Sequence, residues 1–586
     1  MALYRKVSGL DAMRDLDALR SVHNSETEIY AGPRKVWGMN RAPVIKGSAG
    51  LESADYVVVG SGSAGAIVAR RLADTGAAVI LIESGRQRRG PLVTVPGMCG
   101  AIHAVTSLQR RVTWPAYSVP QRHMKGRTLP QSHGRILGGG SAINGMAFVR
   151  GNRQNYDEWA ASGAKGWTFS EVLPSFRRLE SFEDGPSELR GGYGPIAVER
   201  ATGLASITES YMVALAETAG VGMNDDYNGS QQTGVAPLQQ SISAGRRVGT
   251  DRGYLSDPPP NLRVLTDVTA TRVVMEAGRA TGVELVEGRN RRPIGSARAS
   301  REVILSAGSL GSPRLLMLSG IGHAHHLREH GIKVIVDLPV GDNLHDHLFV
   351  PMSYQARGGR SASPLSFAGA AVRECVRPRS TYLAHTLFEA VAFLDSGVGA
   401  GRDVPDLQMF ILPMSYPENQ DSPGLHLAAE SSSSLTLMPT MIYPESRGSV
   451  RLASTDPFAA PLIDPNYLAE PRDVATLVAG MELVRETLPH RAIAREIDRE
   501  VLPGSNRTGA DLADFVRRNA SGVYHPVGTC RMGTDERAVV DPALRVRGAE
   551  GLRVVDASIM PSIVGGNTNA AAMMIGERAA ELIIGG

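Results

Sequence analysis

The ten residues Tyr524–Gly533, YHPVGTCRMG, hold one His and one Cys five positions apart near the end of a 586-residue chain. Three roles are open to His525: metal ligand, satisfied core residue, or base for a substrate proton. No further Cys or His stands at a spacing that would close a tetrahedral site around His525 and Cys530. A second element of chemistry lies near the other end. Gly60–Gly65 reads GSGSAG, between the apolar run DYVVVG and the helical pattern SAGAIVARRLADTG. In that setting Gly60 permits a tight turn, Gly62 lets the backbone approach a pyrophosphate, and Gly65 allows close helix–strand packing. The pyrophosphate would lie at the helix N-terminus, where free N–H groups and the dipole favour an anion. Glu83 ends the next strand, AAVILIE, and its carboxylate can accept hydrogen bonds from a ribose diol.

This spacing predicts a dinucleotide site without choosing between FAD and NAD. There is no second strand–GxGxxG–helix unit ending in an acidic residue. One unit suggests one tightly held dinucleotide, with electrons drawn from a substrate.

The elements that must position these groups follow from pattern. The chain is too long for one ordinary hydrophobic core, so two domains are expected. After the βαβ unit that begins at Asp55, residues 166–235 mix helices and loops. NLRVLTDVTATRVVME and GVELVEG form a strand-rich piece leading into EVILSAG and a helix at SPRLLMLSG. Beyond residue 341, DLQMFILPMSY and LTLMPTMIYP read as strands of a second sheet, and Ser431–Ser434 as a turn. The last sixty residues return to strand, loop and helix (LRVVDAS, then NAAAMMIGERAAELI), as if completing the first domain. Ahead of it, Leu10, Met13, Leu16 and Leu19 are spaced as in a short amphipathic helix, followed by an extended arm. That extension reads as packed on the body, with a subunit contact as the alternative.

Composition narrows the class. The net charge of +3, with both signs interspersed, gives no reason to expect nucleic acid or an anionic membrane as partner. Three widely spaced Cys (Cys99, Cys375, Cys530) argue against a disulfide framework and fit reduced thiols. The first residues lack the apolar stretch of a secretory signal, and no apolar run approaches the ~20 residues of a membrane span. A cytoplasmic protein is expected.

Two internal segments carry a resemblance: GRILGGGSAINGMAFVRG from Gly134 and GSLGSPRLLMLSGIG from Gly308. With the GSGSAG loop and YHPVGTCRMG, they resemble the glucose–methanol–choline (GMC) family of FAD-dependent oxidoreductases. PVGDNLHDH (Pro339–His347) and VVDASIMP (Val554–Pro561) look like further blocks of that family. The likeness runs from about Asp55 to the C-terminus and leaves residues 1–53 aside. It implies an α/β fold: a Rossmann-like FAD-binding domain of discontinuous segments (54–165, 236–340 and 519–586) and an α+β substrate-binding domain (166–235 and 341–518) with a mainly antiparallel sheet. FAD is expected to be noncovalent, because Ile143 stands where some relatives have the His that attaches it.

The implied FAD contacts are Gly60, Gly62, Ser63, Ala64 and Gly65, with Glu83 and Ser84 at the next strand end. Gly139, Asn144, Gly145, Met146 and Ala147 come from the second Gly-rich loop, whose backbone N–H groups suit a phosphate or ring edge. Val268, Ala307 and Gly308, Asp556 and Ala557, and Asn567 and Thr568 complete the set. His525 matches the catalytic His of the family, and Asn567, in GGNTNAAAMM, matches its partner position. A base that removes the hydroxyl proton makes the neighbouring C–H hydridic, and imidazole suits that task.

The resemblance therefore implies oxidation of a primary alcohol, with electrons passing to O2 or another acceptor. Met, Leu, Ile and Tyr in Leu407–Tyr416 and Leu435–Pro444 favour a medium-sized apolar or aromatic alcohol, and Glu445 is the one acidic candidate for a cationic substrate. Two alternatives share the fold: a hydroxynitrile lyase and a fatty-acid photodecarboxylase, whose carboxylate-holding Arg aligns with Tyr443. His345 and His347 read as structural or flavin-edge residues. His123 and His133 have no assigned role, and Arg447 with Arg451 reads as a solvated or salt-bridged turn.

Overall fold

The computed structural model describes residues 52–288, 291–360, 363–399, 404–414 and 433–586. The expectations for the N-terminal extension, for Ser415 and Tyr416 and for the first half of Ser431–Ser434 lie outside those residues.

DYVVVG and AAVILIE are dense in β-branched and aliphatic residues, the pattern of strands covered on both faces. They form Glu52–Val59 and Val79–Glu83, parallel neighbours near the middle of a seven-stranded sheet. Leu262–Thr266 pairs in parallel beyond Val79–Glu83, and the long strand Arg292–Leu305 pairs in parallel on the other side. Arg279–Glu287 and Val268–Glu276 then extend the sheet antiparallel. Leu552–Val554 adds in parallel to Arg292–Leu305, so the C-terminal segment does return to the first sheet. The helices Gly65–Asp74 and Asn569–Ile584 pack together, and a Cβ on Gly576 would come within 2.7 Å of the Ala64 carbonyl oxygen. The fold class expected from the sequence is the one observed.

Among the described residues the second sheet has eight strands, all paired antiparallel. Along its main path the order is Ile497–Leu502, Met352–Ala356, Ser434–Met441, Leu407–Leu412, Ala390–Leu394 and Gly234–Pro237, with Leu348–Phe349 and Ser521–Gly522 alongside. Period-two alternation sorts its side chains. Leu407, Met409 and Ile411 share a core with Leu477, Met481 and Val484 of the helix Pro471–Thr487. The opposite face presents Phe393, Phe410, Leu412 and Met438, and these pack with Ala147 and Val149, which follow the second Gly-rich loop. That face roofs the candidate site.

Candidate active site

The nucleotide loop is closed everywhere except where a ligand needs it open. A Cβ on Gly60 (φ +99) would lie 2.3 Å from the Ser306 carbonyl oxygen, and one on Gly65 would lie 2.0 Å from that of Gly60. A Cβ on Gly62 would meet nothing within 4 Å. The helix Gly65–Asp74 that follows has no side-chain cap on its first turn. Uncapped N–H groups beside an open glycine face form a cradle for an anion, so these residues fit the pyrophosphate of FAD.

Glu83 and Asp556 carry much of the local order. The Glu83 carboxylate accepts from Ser61 N (3.1 Å), Ser61 Oγ (2.6 Å) and Gly85 N (2.7 Å), and burial pushes its pKa up. Gly138 N donates to Ser61 Oγ, and a Cβ on Gly139 would lie 2.7 Å from Gly62 Cα, so the two Gly-rich loops touch. Asp556 accepts from Gly308 N, Ser312 Oγ and Ser558 N, which fixes the start of the helix Gly308–Leu318. Thr266 is the register partner of Glu83, so Val268, two residues on, begins at the same edge. In the second loop, Asn144 Oδ1 accepts from Met146 N (3.0 Å) and from the buried guanidinium of Arg247 (2.7 Å). A Cβ on Gly145 would approach Phe388 at 3.6 Å, bringing this loop beneath the second sheet.

His525 and Asn567 meet, with Asn567 Nδ2 3.3 Å from His525 Nε2. Two residues beyond Asn567, Asn569 Oδ1 accepts from Ser63 Oγ at 2.6 Å. The chain therefore runs directly from the His–Asn pair to the nucleotide loop. The segment 523–527 pairs with 345–347: Val523 N donates to His347 O, and His345 and Val527 exchange two hydrogen bonds. His525 N donates to Asp346 Oδ1 at 2.7 Å. The GGN loop is pinned by side chains from three distant places: Ile563 N donates to His345 Nε2, Gly565 N to Asn155 Oδ1, and Gln232 Nε2 to Gly565 O. A Cβ on Gly566 (φ +138) would sit 2.4 Å from Val149 Cγ1, and one on Gly565 2.3 Å from the Tyr443 hydroxyl. The glycine pair thus lets Asn567 sit this deep.

Hydrogen-bond direction fixes the protonation of the pair. His347 Nε2 lies 2.9 Å from the Ile442 carbonyl oxygen, which can only accept. His347 therefore carries its proton on Nε2 and presents a lone pair at Nδ1. His525 Nδ1, 3.0 Å from that lone pair, must donate. The remaining nitrogen, His525 Nε2, is left unprotonated beside the Asn567 amide. Burial pushes the His525 pKa down to about 3 and that of His347 well below the ordinary value, the neighbouring His525 adding to the second effect. Asp346 is pushed up to about 7 by burial, against the stabilising hydrogen bonds of Tyr467 and of the His525 and His347 N–H groups.

The structure gives HDH two separate tasks: His345 holds the GGN loop, and His347 abuts His525. The sequence also passed over Gln408, whose Nε2 donates to Asn567 Oδ1 at 3.2 Å. One polar residue inside the otherwise apolar run LQMFIL was its only local sign. His133 lies apart, between Trp114 and the second Gly-rich loop, while His103 stacks on Tyr524 at 5.4 Å. Cys530 is buried, and among the described residues no cluster of His, Cys, Asp and Glu is arranged to hold a metal ion. Nor, among them, is any helix long and apolar enough to cross a membrane.

Residues 54–349 and 444–576 match two family profiles, each described as GMC oxidoreductase. The chain is 38% identical over 547 residues to an alcohol dehydrogenase [acceptor] of Pseudomonas putida, covering 90% of this chain and 95% of that protein. It is also 38% identical over 542 residues to an oxygen-dependent choline dehydrogenase of Brucella suis, covering 91% and 96%. Among solved structures, pyridoxine 4-oxidase from Mesorbium loti matches with a TM-score of 0.79 at 30% identity, over 91% of this chain and 99% of that one. The chain belongs to the GMC oxidoreductase family, as an FAD-dependent enzyme that oxidises alcohols.

Proposed function

We propose that this enzyme oxidises a medium-sized apolar or aromatic primary alcohol to the aldehyde, with His525 Nε2 as base and Asn567 as the hydrogen-bond donor to the substrate oxygen. The observation that carries the reading is the 3.3 Å contact between His525 Nε2 and Asn567 Nδ2, with His525 Nδ1 engaged by His347 on the other side of the ring. The hydroxyl proton passes to His525 as the carbinol C–H leaves as hydride. Bound FAD supplies the hydride acceptor. Asn567, a neutral amide, orients the oxygen without competing for the proton. Burial of the His525 ring strengthens both interactions. Electrons then leave for O2 or another acceptor.

Noncovalent attachment is supported by the aliphatic side chain at Ile143, which offers no nitrogen to the flavin. Segments 54–165, 236–340 and 519–586 would hold FAD, while 166–235 and 341–518 would roof the substrate. Support for an apolar substrate comes from Phe388, half-buried opposite Gly145 and 5.2 Å from Phe410 between ring centres. Choline is the substrate named for one relative. A cationic substrate has less support here, because Glu445 is already paired with Arg472 at 2.7 Å. Tyr443, at the position aligned with the carboxylate-holding Arg of the photodecarboxylases, bonds to Asn155.

Anaerobic titration of purified enzyme with benzylic, aliphatic and sugar alcohols tests this reading. Loss of flavin absorbance near ~450 nm is expected with apolar or aromatic alcohols. His525→Ala should keep FAD and slow the reduction by about 10²–10⁴-fold. Sugar alcohols as the only reductants would overturn the substrate class, and wild-type reduction by His525→Ala would overturn the base. No reduction by any alcohol would turn the reading toward lyase or light-driven chemistry.

A further inference from the structure

The strand Leu407–Leu412 is buried along its whole length, and its one polar side chain is Gln408. Alternation places Gln408 on the face of Phe410 and Leu412, toward the His–Asn pair and away from the helix Pro471–Thr487. Its register partners are Phe393 and Thr440, and the Thr440 hydroxyl donates to the Met438 carbonyl. Gln408 Nε2 donates to Asn567 Oδ1, while Gln408 Oε1 has no partner among the described residues. An amide in an apolar strand with one end unsatisfied is costly, and a leucine of similar size would avoid that cost.

We infer that Gln408 is a positioning residue: its amide locks Asn567 in the orientation that turns Nδ2 toward His525 and the substrate oxygen. The inference rests on the proposed base–donor pair and extends it. Polarity runs in one direction from a backbone carbonyl that can only accept. Ile442 O takes the proton of His347 Nε2, His347 Nδ1 takes that of His525 Nδ1, and His525 Nε2 keeps its lone pair. Asn567 must then present Nδ2 to that lone pair, which turns Oδ1 toward the strand and requires a donor there. Gln408 supplies it. An Asn567 amide turned the other way would set Oδ1 against the His525 lone pair and offer the substrate oxygen no donor.

The charged and titratable groups around the pair are few. His525 is faced by His347 through its ring and by Asp346 through its backbone N–H, with Tyr524 adjacent in the chain. Gln408 is faced by Phe393, Thr440 and Asn567, none of which titrates. Asp406, just ahead of the strand, is engaged with Ser396 N and Oγ.

Gln408→Leu and Gln408→Glu test the inference in the FAD-loaded enzyme. Gln408→Leu should keep FAD and melting temperature and slow flavin reduction at saturating alcohol by about 10–100-fold, with little change in half-saturating concentration. In an Asn567→Ala background the same change should cost nothing further, because its route of action is gone. Gln408→Glu is nearly isosteric and gives a pH signature. Ionised, the introduced carboxylate accepts from Asn567 Nδ2 and turns the amide around, so reduction falls as pH rises through its titration. Protonated, it donates to Asn567 Oδ1 and the rate recovers on acidification. Wild-type rates and pH profiles in both variants, or additive losses in the double variant, would overturn the inference. Its failure is distinguishable from failure of the base reading. An inactive His525→Ala beside unaffected Gln408 variants removes only Gln408, whereas an active His525→Ala removes the base and the inference together.

Discussion

The rings of His347 and His525 meet edge to face, their planes at 89° and their Nδ1 atoms 3.0 Å apart. Two nitrogens at that distance share one proton. Because the Ile442 carbonyl claims the other proton of His347, the shared one belongs to His525. A base with its lone pair at Nε2 is therefore set by a backbone carbonyl two side chains away.

His347→Leu removes the acceptor and should slow anaerobic flavin reduction by about 10–100-fold, by analogy with the loss of a tautomer-fixing partner. FAD content should stay normal. His347→Asn places an amide oxygen near the former Nδ1 position and should recover part of the loss. Equal rates in the two variants would show that the proton on His525 Nδ1 needs no acceptor.

The pH dependence has a definite sign. A base works unprotonated, and burial holds the His525 pKa down at about 3, so the active form persists well below the ordinary imidazole value near 6.5. In Asp346→Asn, which removes the neighbouring carboxyl that burial pushes up to about 7, the second-order rate constant for flavin reduction should stay flat from pH 8 to pH 5. A fall centred near pH 6.5 would mean that the ring is solvated in the working enzyme.

Gly62 and Gly60 should respond differently to added bulk. Gly62→Val meets open space within the protein and should give a folded chain that purifies without flavin, as seen by absorbance and melting. Gly60→Val collides with the Ser306 carbonyl at a left-handed φ and should lower the yield of folded protein. Full FAD content in Gly62→Val would displace the pyrophosphate from this loop.

Stability behind the second Gly-rich loop depends on a buried carboxylate. Glu180 Oε1 accepts from Arg150 at 2.5 Å, Arg190 at 2.8 Å and Gly191 N at 2.8 Å, and its side chain is fully buried. Glu180→Gln leaves the buried Arg150 guanidinium without its anion, while Arg190 keeps Asp226 at 2.5 Å, and should cost about 3–5 kcal/mol. Urea denaturation that moved by less than about 1 kcal/mol would show that water replaces the carboxylate.

Local chemistry was legible in the chain because it depends on neighbours in sequence. GSGSAG between DYVVVG and SAGAIVARRLADTG needed only short-range sterics, and the structure closes Gly60 and Gly65 while leaving Gly62 open. His525 and Asn567 were found through the family blocks around them, and they do meet. HDH was recognised as a block, but its two histidines were not told apart. Gln408 drew no notice, since one Gln in a strand core has many bland explanations.

What the sequence by itself determined is the Gly-rich loop between strand and helix and the two-sheet architecture, carried by periodicity and short spacings, and the candidate base, carried by its resemblance to the family blocks. What only the tertiary structure decided is which nitrogen of His525 is free and which way Asn567 points. Those depend on Ile442, His347 and Gln408, brought from distant parts of the chain to contacts of 3.3 Å or less along a single relay. The direction of a hydrogen bond is a property of two partners in space, and no spacing along the chain encodes it.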